Sequence, residues 1–213
     1  MGRYPIFLTL SGRSVVIIGG GAVAGRKAQA ILAAGANLTV VARKIDDAVR
    51  EACKGADTKL LEGDYCKDHL TGAVLAIAAT SDNELNKQIY EDCRDMGVLC
   101  NVVDVPDLCD FFVPAVVKRG DLQIAISTEG DCPAYARHLR KKLEQIFTDK
   151  HGEFLTELKA IRKRIIEKIG DPAGRKELLE QMIDEKSFDI FVQDGPDKWQ
   201  IYANGLIEAN INN

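Results

Sequence analysis

No pair of cysteines stands in a CxxC spacing anywhere in this 213-residue chain, and its three histidines, His69, His138 and His151, are too scattered for a metal site. The six cysteines, Cys53, Cys66, Cys93, Cys100, Cys109 and Cys132, follow no zinc-ligand pattern. That excludes the common structural zinc modules and leaves reduced thiols, several of them buried as small apolar groups, as the expectation. Basic charge is not in excess: 28 Lys and Arg stand against 32 Asp and Glu, for a net charge of −4. A general nucleic-acid binder shows the opposite balance. No apolar run approaches the ~20 residues of a membrane span, so no membrane partner is expected. The start, Met1-Gly2-Arg3-Tyr4-Pro5, lacks a signal-peptide core, which makes the cytoplasm the expected location. Internal repeats and low-complexity linkers are missing too.

What is present is an ordinary globular composition, 46% hydrophobic and 28% charged, long enough for one good-sized domain or one domain with a smaller appendage. Its most informative stretch is SVVIIGGGAVAGRK, residues 14–27. The β-branched run 15–18 reads as a parallel strand buried on both faces. The spacing from Gly19 through Gly21 to Ala24 is the G-x-G-x-x-A form of the dinucleotide fingerprint. Gly19 allows the tight turn and Gly21 lets the backbone approach a pyrophosphate. Ala22 and Val23 open the helix whose free N–H groups face that anion.

The chain then alternates. The pattern predicts a helix over 23–34, a strand over 37–42, a short helix over 45–54 and a strand over 58–61. A strand over 74–79, a helix over 83–96 and a strand over 98–103 follow. Residues 4–10 read as a short strand or extended arm. Such alternation predicts an α/β fold with a Rossmann-like, doubly wound parallel sheet, whose ligands lie beyond the carboxyl ends of its strands. That rule puts Gly19–Gly21, Arg43, Thr80 and Asp104 along one edge. From residue 112 the pattern changes to a hairpin (112–118 and 122–127, turning at Arg119-Gly120-Asp121) and a cation-rich helix over 134–147. A mostly helical remainder breaks at Asp171-Pro172, carries a second helix to about residue 186 and ends in a weakly patterned tail with Trp199 and Tyr202. The expected division is 1–112, a nucleotide-binding domain, then 113–147, a dimerisation and substrate region, then 148–213, a small helical domain.

One feature departs from the simplest dinucleotide rule. An NAD-specific fold usually ends its second strand on an acidic residue for the ribose 2′-hydroxyl. Here Ala42 is followed by Arg43 and Lys44. An arginine there suits a 2′-phosphate, so position alone leans toward NADP. Contact with the adenosine ribose or phosphates, or plain solvation, are the alternatives, and the pattern alone does not settle NAD against NADP.

Several blocks in a fixed order then carry a resemblance: Asn101-Val102-Val103-Asp104, Leu108-Cys109-Asp110-Phe111, Arg119-Gly120-Asp121-Leu122, Ala125-Ile126-Ser127-Thr128 and Pro133-x-x-Ala136-Arg137-x-Leu139-Arg140. With GGGAVAGRK and Ala78-Ala79-Thr80, they resemble the precorrin-2 dehydrogenase/sirohydrochlorin ferrochelatase family, also found as the N-terminal half of sirohaem synthase. The resemblance covers roughly residues 3–147. It implies an oxidoreductase of sirohaem (porphyrin) biosynthesis that oxidises precorrin-2 to sirohydrochlorin with NAD as cofactor. In some members a lyase activity also inserts Fe²⁺ to give sirohaem. It implies a homodimer, and overrides the lean of Arg43 toward NADP.

Residue by residue, the resemblance implies that Asp104 is the catalytic base. It places Gly19, Gly21, Ala22, Val23, Arg43, Lys44 and Thr80 against the cofactor, and Asn101, Ser127, Thr128 and Arg137 against the tetrapyrrole. A substrate with many carboxylates calls for cations, and Lys118, Arg119, Arg140 and Lys141 are further contributors. Thr128 stands where some bifunctional relatives carry a phosphorylated serine, and Cys132 where a serine is common. No protein metal site is expected. The chain stops before any methyltransferase domain, so the methylations are expected from another protein. Two competing readings remain: a different NAD-dependent oxidoreductase on this fold, and an NAD(H)-binding regulatory or sensor module without tetrapyrrole turnover.

Overall fold

The computed structural model describes residues 2–211, so the outermost positions of the expected domains, 1, 212 and 213, lie outside it. It divides into two compact units, Met1–Val113 and Pro114–Asn213.

The first unit is built on five parallel strands: β1 (Ser14–Ile18), β2 (Asn37–Ala42), β3 (Lys59–Glu62), β4 (Ala73–Ala78) and β5 (Leu99–Val102), in the order β3-β2-β1-β4-β5. Three helices connect them: α1 (Ala22–Leu32), α2 (Asp47–Ala52) and α3 (Asn83–Met96). Alternation along β1 sorts its side chains. Val15 and Ile17 enter one buried layer with Ala24, Ala28 and Val49 from α1 and α2. Val16 and Ile18 enter the opposite layer with Ile89 and Cys93 from α3. A strand covered on both faces has no reason to alternate apolar with polar, which is why Val15–Ile18 read as one continuous run. The doubly wound sheet is therefore as the sequence pattern predicts.

Residues 4–10 form no strand. Tyr4, Ile6 and Phe7 are exposed, and the Arg3 guanidinium lies 3.6 Å over the Phe112 ring.

The second unit holds the antiparallel pair β6 (Ala115–Arg119) and β7 (Leu122–Ile126), followed by α4 (Pro133–Ile146), α5 (Asp149–Lys168), α6 (Pro172–Met182), α7 (Glu185–Asp194) and α8 (Pro196–Ile211). The expected weakly patterned tail is corrected here, because residues 196–211 form a sixteen-residue helix. Its anchor is Trp199, fully buried against Phe154 and Phe191 at ring separations of 5.2 and 6.2 Å. The indole N–H donates to Ser187 Oγ (2.8 Å), which itself donates to the Met182 carbonyl (2.7 Å). The second expected helix, running to about residue 186, is likewise two helices, α6 and α7. The break comes at Asp184, whose carboxylate accepts from the Ser187 amide and caps α7.

Candidate dinucleotide and acid–base site

At the carboxyl end of β1 the chain turns so tightly that side chains have no room. Gly19 takes φ +132°, and a Cβ there would overlap the Ala79 carbonyl; one on Gly20 would overlap the carbonyl of Lys44. Gly21 differs, since a Cβ there meets no atom within 4 Å. Gly21 is also the N-cap of α1, with no side-chain cap and no acidic residue in the first turn. An α-helix leaves its first amides without intrahelical partners and carries partial positive charge at that end. The structure thus brings Gly19, Gly21, Ala22 and Val23 together around open space facing an uncapped helix terminus. That arrangement fits the pyrophosphate of a dinucleotide.

At the end of β2, Arg43 Nε pairs with Asp64 Oδ1 at 2.5 Å, and Lys44 Nζ lies 3.9 Å from Asp46 Oδ1. The Asp64 hydrogen bond holds the Arg43 pKa above its ordinary value. Arg43 borders an open cavity of about 470 Å³ whose other charged walls are Asp82, Glu84, Lys87 and Glu91. Thr80 faces inward: its hydroxyl lies 2.7 Å from Asn86 Oδ1, and the Asn86 amide donates to the Thr80 carbonyl at 3.0 Å. Asn86 is buried, and sequence reasoning missed it because a lone polar residue on a helix reads as solvated. Thr80 shapes the turn into α3, where the Asp82 carboxylate accepts from the Leu85 amide.

Beyond β5, Asp104 occupies the left-handed region, φ +63°. Non-glycine residues there are uncommon and need support from their surroundings. The support is a network beneath the loop. Asn101 is buried, and its side-chain amide donates to the Phe111 carbonyl (2.9 Å) and to Cys109 Sγ (3.4 Å). The Cys109 thiol lies within donating distance of the carbonyls of Val102 (3.2 Å) and Val105 (3.3 Å). Asp110 exchanges two bonds with Cys100, accepting from its amide at 2.9 Å and donating to its carbonyl at 2.8 Å. Asp104 itself is exposed and makes no side-chain hydrogen bond among the described residues, which leaves its carboxylate available. Burial pushes the Cys109 thiol up. Lys27, half-buried on α1, is the residue sequence reasoning passed over. Burial and then Arg26 lower its pKa, against the opposing pull of Cys109 and Asp104. Its signal was present: Lys27 adjoins the apolar face formed by Ala24, Ala28 and Ile31.

Ser127, Thr128 and Arg137 lie in the second unit. Ser127 Oγ accepts from the Glu129 amide (3.1 Å) and Thr128 Oγ1 from the Cys132 amide (3.3 Å), so both hydroxyls stiffen the turn into α4. Arg137 is exposed and forms no ion pair among the described residues. Arg119 instead spends its guanidinium on the carbonyls of Phe147 (2.8 Å) and Glu144 (3.1 Å), and Arg140 pairs with Glu144 (3.2 Å). No group of three or more metal-ligating side chains occurs among the described residues.

An NAD(P)-binding family model matches residues 6–115, and the model of the sirohaem biosynthesis protein central region matches residues 119–146. A siroheme synthase of Psychrobacter sp. (strain PRwf-1) is 34% identical over 186 residues, covering 87% of this chain and 38% of the relative. One of Pseudomonas aeruginosa (strain LESB58) is 38% identical over 178 residues, covering 84% and 38%. The chain thus spans well under half the length of these relatives. Among solved structures, SirC, a precorrin-2 dehydrogenase, superposes with a TM-score of 0.77 at 24% identity, covering 95% of this chain and 100% of SirC. That likeness is one of fold.

Proposed function

The chain belongs to the NAD(P)-binding family whose model spans residues 6–115, followed by the central region of sirohaem biosynthesis proteins, and from that premise we propose that it is a precorrin-2 dehydrogenase, oxidising precorrin-2 to sirohydrochlorin with NAD. NAD, when bound, accepts the hydride. Gly21 and the first turn of α1 hold the pyrophosphate, and Arg43 and Lys44 lie toward the adenosine. Asp104 takes the proton, so that two hydrogens leave the macrocycle as one hydride and one proton. A carboxylate at the strand edge within reach of the reacting carbon is a suitable general base.

The observation that carries this reading is the Asp104 loop. A left-handed, exposed, unpartnered aspartate is held there by a buried asparagine and a half-buried thiol. Asn101 serves in this account as the brace of the loop. Arg137 meets a substrate carboxylate, and Ser127 and Thr128 hold the turn that presents α4 to the macrocycle. Iron insertion is a second activity of the same site. Fe²⁺ is there a substrate, exchanged for two pyrrole protons that the exposed Asp104 carboxylate accepts one at a time and passes to solvent. The protein works as a cytoplasmic homodimer. Support for the dimer comes from the two-stranded β6–β7 sheet, whose outer edges carry no further strand among the described residues, an open template for a partner.

Anaerobic incubation of the protein with enzymatically generated precorrin-2 tests the reading. Absorbance should shift to that of sirohydrochlorin with NAD and stay unchanged without dinucleotide. Adding Fe²⁺ afterwards reads out chelation above the no-enzyme control. An unchanged spectrum with every dinucleotide would overturn the assignment.

A further inference from the structure

The residue that ends β2 in this fold ordinarily decides between the two nicotinamide dinucleotides: an acid accepts from the ribose 2′-hydroxyl, and an arginine holds a 2′-phosphate. By that rule Arg43 points to NADP. Its surroundings point the other way. The loop after β3 docks on the end of β2 through a bond from the Gly63 amide to the Ala42 carbonyl (2.9 Å), and this carries Asp64 to Arg43, Nε to Oδ1 2.5 Å. Lys44, the next cation, faces the carboxylate of Asp46 at 3.9 Å. Across the adjoining cavity stand Asp82, Glu84 and Glu91 against the single further cation Lys87. A dianionic 2′-phosphate entering here meets an arginine already engaged and a wall with more carboxylates than cations. A neutral hydroxyl meets no such repulsion. Asp64 Oδ2 accepts no bond among the described residues, so it can receive the ribose hydroxyl that the end of β2 lacks an acid to hold.

We propose that Asp64 is a cofactor-specificity determinant: it withholds Arg43 from the 2′-phosphate of NADP and supplies, from the neighbouring loop, the carboxylate that favours NAD. The proposal rests on the reading of this unit as a dinucleotide site. Both partners are largely exposed, with 79% and 76% of their side-chain surface accessible, so the effect is that of a surface ion pair, about fivefold.

Calorimetric titration of the full chain with NAD and NADP, separately from any turnover, tests it in three proteins: wild type, Asp64→Asn and the double variant Arg43→Gln/Asp64→Asn. The wild type should bind NAD more tightly. Asp64→Asn should narrow the preference about fivefold through tighter NADP binding, and removing Arg43 as well should abolish that gain. A wild-type preference for NADP, or an Asp64→Asn variant in which the ratio stays fixed, overturns the role of Asp64 while leaving the dinucleotide site standing. A wild type that binds neither dinucleotide overturns both.

Discussion

Asn101 and Cys109 face one another across an isolated antiparallel bridge, and the loop they close carries Asp104 at its bend. The arrangement makes Cys109 a positioning residue for the carboxylate. Cys109→Ala removes the one thiol donor that the Val102 and Val105 carbonyls share, and a lost part-buried bond costs about 1 kcal/mol. A purely structural role would lower the melting temperature and leave the turnover of the folded fraction intact. The expected outcome is instead a fall in kcat of about tenfold with the KM for NAD unchanged, partly rescued by Cys109→Ser, which keeps a donor. Steady-state kinetics beside calorimetry separate the two.

Asp104 is the sharper test of the chemistry. Asp104→Asn keeps the shape and removes the base, so precorrin-2 oxidation should fall by at least about a hundredfold while NAD affinity and melting temperature hold. Asp104→Gly should be equally inactive yet no less stable, since glycine accepts φ +63° without the roughly 1 kcal/mol that a side chain costs there. Loss of stability in Asp104→Gly would mean that the aspartate supports the loop rather than being held by it.

Gly20 and Gly21 should separate folding from binding. A methyl on Gly20 runs into the Lys44 carbonyl, whereas one on Gly21 enters open space. Gly20→Ala should therefore destabilise the first unit, and Gly21→Ala should fold normally. If the space over Gly21 belongs to a pyrophosphate, Gly21→Ala still weakens NAD binding by roughly tenfold, the scale of one methyl forced into a close backbone contact. Normal binding by Gly21→Ala would displace the pyrophosphate from this turn.

In the second unit, Trp199→Ala should cost about 3–5 kcal/mol, as expected for a large side chain removed from a packed interior. Trp199→Phe should cost about 1 kcal/mol, because Ser187 keeps its bond to the Met182 carbonyl when the indole donor is lost. Urea unfolding followed by circular dichroism measures both.

The same tryptophan shows what the sequence could and could not reveal. The sheet was legible because a strand buried on both faces writes itself as an unbroken β-branched run, as Val15–Ile18 do, and because Gly19–Gly21 can follow such a strand for few other reasons. Helix α8 was not assigned, although Trp199, Ala203 and Ile207 recur every four residues: one of the three is only an alanine, and the rings that bury Trp199, Phe154 and Phe191, lie on α5 and α7. At the candidate site, position after a strand put Asp104 on the sheet edge, but only the family resemblance of its block marked it as a base. Local sequence could not show that Asn101 lies buried beneath the loop, that Asp64 reaches Arg43 from twenty-one residues away, or that Lys27 is half-buried. Each of those facts depends on which loops meet at the sheet edge.

Lys27 gives the last prediction, and its sign follows from proton linkage. Its folded pKa lies below the ordinary 10.5, chiefly through burial and then Arg26. The folded chain therefore binds the proton less readily than the unfolded chain does. Wherever the unfolded state holds more protons, stability rises with pH. Below the folded pKa both states carry the charge and the destabilisation is present in full. It is lost as pH rises through the folded pKa toward 10.5. Lys27→Met, which keeps the length of the apolar stem, should thus be more stable than the wild type at neutral pH. That advantage should shrink steadily in alkaline buffer. Melting temperatures of the two proteins from pH 7 to pH 10.5, the ordinary lysine value, decide it. A gap that stays constant over that window would show that burial of the Lys27 charge contributes nothing to stability.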